Sequence, residues 1–159
     1  FLIEEALRYD VKGRKYIGTE TKYYFCDLGL RAVALNFRQQ EETHIMENII
    51  YNELRSRGYL VDVGFVESWI IDTEGKRKRQ NLEVDFVVNN GANRVYIQSA
   101  FRMPRAEKEE QELRSLLKID DSFRKMVIVW DSIKRKVNEQ GIITMSLLDF
   151  LLDLNSATV

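Results

Sequence analysis

An acid and an amide on neighbouring predicted strands are placed to share one cation. Two β-rich runs flank Asn90-Gly91, and Asn-Gly between alternating hydrophobic residues strongly indicates a β-hairpin. A two-residue turn at that point places Glu83 opposite Gln98 and Asp85 opposite Tyr96. Asp85 and Gln98 then become diagonal neighbours, roughly 7–8 Å apart at the backbone. Their side-chain oxygens are therefore within joint reach of one ion.

Side chains alternate along a strand, so this register also predicts the two faces of the hairpin. One face is wholly apolar and consists of Leu82, Val84, Phe86, Val88, Val95, Ile97 and Phe101. The other face carries the acid and the amide, and it consists of Glu83, Asp85, Arg94, Tyr96, Gln98 and Ala100.

A third oxygen ligand is available from the clearest helix of the chain, predicted over residues 41–57. Its apolar residues recur at helical spacing, and Gly58 ends it. Glu47 lies on the same stripe as Ile50 and Leu54, so it is either a carboxylate that reaches solvent at the rim or a ligand that points inward. Mg²⁺ prefers hard oxygen ligands of this kind. An acid on a helix, an acid on the middle strand and a polar group on the next strand form an arrangement suited to a divalent metal.

The remaining patterns predict the elements that position these residues. Residues 1–7 read as the end of a helix, followed by a hairpin around Gly13 and a short helix that Asp27 caps. A long strand over 59–71, a helix after Pro104, buried strands at 126–130 and 142–145, and a final helix capped by Ser146 complete the order. The pattern predicts an α/β fold in which helices cover both faces of one sheet.

Composition excludes several classes of protein. The chain has 159 residues, 45% hydrophobic content and a net charge of −1, which is typical of a globular domain and gives no global attraction to nucleic acid. A single cysteine, Cys26, excludes an intramolecular disulfide and fits a reducing compartment. No apolar run approaches the roughly 18–20 residues that span a bilayer. We therefore expect a cytoplasmic protein without membrane association, and the start at Phe1 suggests a fragment of a longer chain.

The order of elements and acids resembles the PD-(D/E)XK superfamily of restriction-endonuclease-like nucleases. That superfamily carries an Asp on the second core strand and Glu-x-Lys on the third, often with a Glu on the first helix. Glu47, Asp85 and Gln98-Ser99-Ala100 match these places. Gln98 is neutral, and Ala100 stands where the resemblance requires the lysine that polarises the attacking water. The resemblance therefore implies a degenerate nuclease site in which Glu47, Asp85 and Gln98 hold Mg²⁺ weakly, if at all.

A closer resemblance extends over nearly the whole chain. It rests on five phrases in order: Tyr9-Asp10-Val11-Lys12-Gly13-Arg14-Lys15, Lys22-Tyr23-Tyr24-Phe25-Cys26-Asp27-Leu28-Gly29-Leu30-Arg31, Glu47-Asn48-Ile49-Ile50-Tyr51-Asn52-Glu53-Leu54, Glu83-Val84-Asp85-Phe86-Val87 and Tyr96-Ile97-Gln98. These phrases resemble the uncharacterised C-terminal domain of prokaryotic AAA+ superfamily ATPases. The resemblance implies a restriction-endonuclease-like mixed sheet flanked by helices over residues 39–159, preceded in residues 1–38 by the end of a winged-helix-like segment and a lead-in helix. ATP would bind only to the missing N-terminal part.

A run of four cations, Lys76, Arg77, Lys78 and Arg79, is predicted at the tip of a long hairpin. Such cations contact phosphates without reading sequence, and a solvated hairpin end is the alternative. The first functional hypothesis is a non-catalytic, nuclease-like accessory domain of an AAA+-type ATPase that contacts DNA, RNA or a protein partner. The alternatives are a weak Mg²⁺-dependent nuclease and an oligomerisation or regulatory module that packs against its own ATPase domain or another copy.

Overall fold

The computed structural model describes residues 2–38, 41–103 and 106–158, and within them one mixed sheet carries four helices. The strands are β1 (Ile3–Asp10), β2 (Lys15–Phe25), β3 (Leu60–Ile71), β4 (Arg77–Asn90), β5 (Asn93–Ala100), β6 (Arg124–Val129), β7 (Lys136–Val137) and β8 (Ile143–Ser146). The helices are α1 (Leu28–Ala34), α2 (Glu42–Ser56), α3 (Ala106–Leu117) and α4 (Leu147–Leu152).

The eight strands of the described chain pair in the order β2-β1-β3-β4-β5-β6-β8-β7. The strands β3, β4 and β5 form an antiparallel meander, whereas β5, β6 and β8 run parallel. Parallel strands need a crossover connection, which α3 provides between β5 and β6. The predicted α/β class with helices on both faces of the sheet is therefore confirmed.

Both faces of the middle of the sheet are buried, and each has its own hydrophobic core. One core joins β3, β4, β5 and β6 to α2 and α4, with Met46, Ile50, Phe86 and Ile97 fully buried. The second core packs Leu113 and Leu116 of α3 against the opposite face. A sheet covered on both faces has no solvated side, so its polar groups must be paired internally.

Most helix ends follow the sequence signals. The Asp27 side chain accepts a hydrogen bond from Leu30 N, and that of Ser146 accepts one from Asp149 N, as expected of N-caps. The long helix α2 ends before Gly58, which takes a positive φ of 84°. The helix predicted after Pro104 is α3, although Pro104 and Arg105 lie outside the described residues.

The predicted hairpin exists, but its register was wrong. The pairs are Asn90↔Asn93 and Val87↔Tyr96, so the two-residue turn is Gly91-Ala92 rather than Asn90-Gly91. Gly91 has a φ of 63°, and Ala92 is not among the residues with positive φ. A turn that needs positive φ only at its first central position selects Gly there. Asn90 therefore becomes the last paired residue of β4.

The predicted faces were wrong at the start of β4, because the ladder between β3 and β4 is irregular. Asp62 pairs with Val87 but Gly64 pairs with Val84, so one extra residue of β4 is accommodated there. Val84 consequently joins the α3 core while Phe86 joins the α2 core. A Cβ on Gly64 would lie 2.8 Å from the Val84 Cβ, so this close approach requires glycine.

The N-terminal segment forms strands, not the predicted end of a helix. The strand β1 pairs in parallel with β3 over Arg8↔Val63 to Asp10↔Phe65, and β2 pairs with β1 at the edge of the sheet. The sheet thus continues across the predicted domain boundary after residue 38. The division into residues 1–38 and 39–159 stays a prediction.

Candidate functional site

Lys22 lies at the centre of a cluster of carboxylates contributed by α2 and β4. Its ammonium is 2.8 Å from Glu47 Oε1, 2.7 Å from Glu83 Oε1 and 3.8 Å from Asp85 Oδ1. Arg8 of β1 adds a second cation 2.9 Å from the other Glu83 oxygen. We call these five residues the acidic cluster. Four separate elements of the fold converge on it.

The strand β2 carries Lys22 into the acidic cluster because α2 holds the end of that strand in place. The Tyr24 hydroxyl donates to Glu47 Oε1 at 2.6 Å. The Asn48 amide donates to Phe25 O at 2.7 Å and accepts from Phe25 N at 3.0 Å. The Tyr24 ring also stacks on Tyr51 with 4.0 Å between the ring centroids. The polar side chains of α2 thus hold β2 in place, which as an edge strand pairs with a neighbour on one side only.

Asp85 is buried at the point where β4 and β5 separate. The ladder of paired residues between them ends at Phe86↔Ile97, and beyond it Asp85 Oδ2 accepts the Ser99 backbone N–H at 2.8 Å. The same oxygen accepts the Gln98 Nε2 amide at 2.9 Å. The Asp85 carboxylate therefore satisfies a backbone N–H of β5 that has no backbone partner in the ladder with β4.

Gln98 and Ala100 are directed to the α3 side of the sheet. The Gln98 amide oxygen accepts a hydrogen bond from Ser115 of α3, so the atom that would bind a cation faces α3. Ala100 is 2% exposed and packs in the α3 core. Of the four predicted positions, Glu47 and Asp85 meet at Lys22, Gln98 reaches Asp85 through its amide nitrogen, and Ala100 faces away from Lys22.

Burial dominates the protonation of Asp85. Burial, together with the negative charge of Glu47, raises the pKa of the carboxyl to about 7, although Lys22 acts in the opposite direction. Burial would lower the pKa of Lys22, but Glu47 and Asp85 outweigh it and raise that pKa above the ordinary value. When Asp85 is protonated, the two cations of the acidic cluster face two glutamates, and their formal charges cancel.

The acidic cluster is satisfied by protein groups. Across the described part of the chain, no group of three or more His, Cys, Asp or Glu side chains is arranged to hold a metal ion. Lys22 supplies the positive charge that a divalent ion would bring, at distances from Glu47 and Glu83 that are typical of charge-assisted hydrogen bonds. What the cluster does chemically is to hold the β1–β2 hairpin, α2 and β4 together.

Sequence reasoning missed Lys22, Arg8 and Glu83 as members of this cluster. Lys22 precedes Glu47 by 25 residues and Asp85 by 63. It reaches them only because β1 pairs in parallel with β3 and carries β2 to the same end of the sheet. The one local signal was a lysine in a strand-like run of aromatic residues, which alone does not specify a partner.

The predicted basic tip does lie at the end of the β3–β4 hairpin, but part of its charge is neutralised. Lys76 pairs with Glu74 at 2.8 Å, and Arg79 pairs with Glu67 at 2.6 Å. The Arg77 guanidinium lies over the Trp69 ring, 4.7 Å from its centroid. Neither Arg77 nor Lys78 forms an ion pair with any residue that the structure describes.

The fold and these contacts define a mixed α/β domain in which a lysine of the edge strand β2 pairs with carboxylates of α2 and β4. Residues 42–150 match the model of a family described as a domain of unknown function, DUF4143, and the chain belongs to this family. It is 32% identical over 152 residues to an uncharacterised protein of Haemophilus influenzae. That match covers 96% of this chain and 34% of the relative, so the chain spans about a third of the relative's length. No solved structure matches the chain.

None of the helices in residues 2–38, 41–103 and 106–158 is long and apolar enough to cross a bilayer.

Proposed function

We propose that this domain is a non-catalytic, nuclease-derived accessory domain of an AAA+-type ATPase. The observation that carries the proposal is the Lys22 ammonium between Glu47, Glu83 and Asp85, where a nuclease would need a divalent ion. Phosphodiester hydrolysis by such enzymes depends on that ion to neutralise charge and activate water. A lysine at the same point neutralises the acids without supplying a bound water.

The order of elements supports a nuclease ancestry. The helix α2, the meander β3-β4-β5, the helix α3 and the strand β6 follow one another, with Glu47 on the helix, Asp85 on the second strand and Gln98 on the third. These are the positions that the resemblance to the PD-(D/E)XK superfamily requires. The length of the Haemophilus relative, about three times the matched region, leaves room for a separate ATPase domain in such proteins.

The contacts of Gln98 and Ala100 argue against residual catalysis. Gln98 offers its amide nitrogen to Asp85 and turns its oxygen to Ser115, so its oxygen does not face the carboxylates that would share an ion. Ala100 has no group that orients water. Loss of one proton-transfer or charge-stabilising group costs about 10²–10⁴-fold in rate, and two such losses leave little activity.

A cleavage assay tests this proposal. The chain should produce no Mg²⁺- or Mn²⁺-dependent cleavage of plasmid or oligonucleotide above the level of an identically purified Asp85→Ala variant. The variant serves as the control for a contaminating nuclease. Metal-dependent cleavage by the unmodified chain that disappears in Asp85→Ala would overturn the proposal and favour a weak nuclease.

One observation favours a second candidate, a module that packs against its ATPase domain. The helix α1 has no buried residue, and Leu30 and Val33, one turn apart on it, form a stripe in which each side chain is about half exposed or more. A seven-residue helix is not stable by itself, because helix formation has a costly nucleus and short helices depend on packing. A protein surface that covers this stripe would stabilise α1.

A further inference from the structure

The sheet face that α3 covers is only partly buried. The core on this face extends across the sheet as far as Tyr9 and Val11 at the end of β1. Outside this core, large apolar side chains of β1, β2 and β3 remain 44–67% exposed. We call them the apolar patch, and they are Ile3, Leu7, Tyr16, Tyr23 and Leu60.

Contacts with α2 establish that the patch residues of β1 lie on the α3 face of the sheet. Ala6 packs in the α2 core, and Glu4 Oε2 accepts a hydrogen bond from α2. Side chains alternate along a strand, so Ile3 and Leu7 project from the opposite face. Tyr9 continues this series and packs in the α3-side core.

The patch residues of β2 and β3 lie on the same face. Lys22 donates to α2, so the next residue, Tyr23, faces away from that helix. Val61 packs in the α2 core, so Leu60 faces away from it as well. The Tyr16 ring lies edge-on to a tyrosine ring of the α3-side core, with 5.5 Å between the centroids. The apolar patch is therefore one side of the three adjacent strands β2, β1 and β3.

A sheet face of this composition is usually covered by a helix. Leu113 and Leu116 of α3 cover the other half of this face in that way. Contiguous exposed apolar residues on a protein surface mark a contact with another element or another chain. A second helix on β1 and β2 would complete the layer that α3 begins.

Glu5 specifies the chemistry of the partner. It lies between Ile3 and Leu7 on β1 and directly opposite Tyr23 on β2. The Glu5 side chain is exposed and forms no ion pair within the described part of the chain. An element that covers the patch buries this carboxylate, which is costly unless the element supplies a cation. The partner must therefore combine apolar residues with a lysine or an arginine.

A segment that precedes residue 1 is placed to supply this element. The match to the Haemophilus relative covers 34% of its length, so such polypeptides extend well beyond this domain. The strand β1 begins at Ile3, within the patch, so a segment joined to the N-terminus lies beside it. The C-terminal residues lie on the other face, where Ala157 is buried in the α2 core. A covalent link also raises the effective concentration of the docking element.

We propose that the apolar patch is the docking site for an amphipathic helix of the segment that directly precedes residue 1 in the longer polypeptide. Its apolar stripe packs on Leu7 and Tyr23, and a lysine or arginine on the helix pairs with Glu5. A second copy of this chain fits less well, because the patch contains no cation and each copy would bring its own Glu5 into the interface. The inference rests on the proposed place of this domain in a longer ATPase polypeptide, but not on the loss of catalysis.

Hydroxyl-radical footprinting of the chain alone and of the longer polypeptide tests this inference. Hydroxyl radicals oxidise exposed tyrosine and tryptophan side chains, so the rate at each residue reports its exposure. Tyr16 and Tyr23 should react several-fold more slowly in the longer polypeptide, because the docked helix covers them. Trp130 is the internal control, because it is 48% exposed and stacks on Phe101 in the other half of the sheet.

A pair of double variants assigns the protection to the patch. In the longer polypeptide, Leu7→Lys/Tyr23→Lys should return Tyr16 to the reactivity that it has in the chain alone. Leu148→Lys/Leu152→Lys, at α4 residues that are 61% and 73% exposed, is the matched control and should leave Tyr16 protected. In the chain alone, both variants should unfold at the same urea concentration as the unmodified protein, because all four substitutions are at exposed sites.

Equal reactivity of Tyr16 and Tyr23 in the two proteins would overturn the assignment. A gene that encodes no residue before Phe1 would do the same. Protection that appears in the chain alone as its concentration rises would identify a second copy as the occupant and would also overturn it. None of these outcomes changes the cleavage result, so the proposed loss of catalysis is tested separately.

Discussion

Replacing Lys22 with methionine is expected to lower the free energy of unfolding by about 3 kcal/mol. Methionine keeps the apolar stem of the side chain but removes the ammonium, so Glu47, Glu83 and Asp85 lose their shared cation. Removal of one partner from a buried ion pair costs about 3–5 kcal/mol, because it leaves uncompensated buried charge. The lower end applies here, since the Lys22 side chain is 26% exposed. Urea unfolding at neutral pH measures the difference.

Lys76→Met is the matched control for this prediction. Lys76 pairs with Glu74 at the same 2.8 Å, but both side chains are at least 70% exposed. Exposed pairs contribute about 0–1 kcal/mol, so the control should remain close to the unmodified chain. Equal losses in the two variants would mean that Lys22 is an ordinary surface cation and that the acidic cluster does not hold β2 in place.

The second large effect is a pH dependence that Asp85 imposes on stability. An aspartate in the unfolded chain has a pKa of about 3.9, and burial raises that of Asp85 to about 7. Between these values the folded state holds a proton that the unfolded state has released. The stability due to this proton is complete below about pH 4 and is lost as pH rises through about 7, with a slope of at most about 1.4 kcal/mol per pH unit.

Asp85→Asn removes this titration while keeping an oxygen that accepts the Ser99 N–H. The free energy of unfolding of Asp85→Asn minus that of the unmodified chain should therefore rise by a few kcal/mol between about pH 4 and about pH 7. Above about pH 7 this difference should stay constant. Chemical denaturation at several pH values measures it. Asp120→Asn, at an exposed aspartate, should show no such gain. A gap that does not change with pH would contradict the assignment of the buried proton to Asp85.

Local signals in the sequence predicted most elements of the fold. The helix α2 has apolar residues at helical spacing and a glycine after its end, and Asp27 and Ser146 cap α1 and α4 as expected. The β4–β5 hairpin also followed from a turn signal between alternating residues. In each case, the interactions that form the element lie within a few residues of one another.

Pairing between residues distant in the sequence decided most of the features that local signals did not predict. The position of the turn moved by one residue because Gly91 suits the first central place, and the extra residue in β4 moved Val84 to the other core. The start of β1 was mistaken for a helix end although β1 pairs along its length with β2, and its second partner, β3, begins 50 residues after β1 ends. Two acids of the candidate site, Glu47 on a helix and Asp85 on a strand, were predictable from the sequence. The lysine among them was not, because it depends on that same parallel pairing.

Mn²⁺ binding, measured by calorimetry on the unmodified chain and on Lys22→Met, tests the central claim most directly. The claim is that the lysine occupies the place of a divalent ion. The unmodified chain should not bind Mn²⁺ at millimolar concentrations, whereas Lys22→Met should bind it through the oxygens of Glu47, Glu83 and Asp85 that have lost their ammonium, the hard ligands that such ions prefer. Adding Asp85→Asn to Lys22→Met should abolish that binding. Binding of Mn²⁺ by the unmodified chain, with loss in Asp85→Asn, would contradict the claim and identify the acidic cluster as a working metal site.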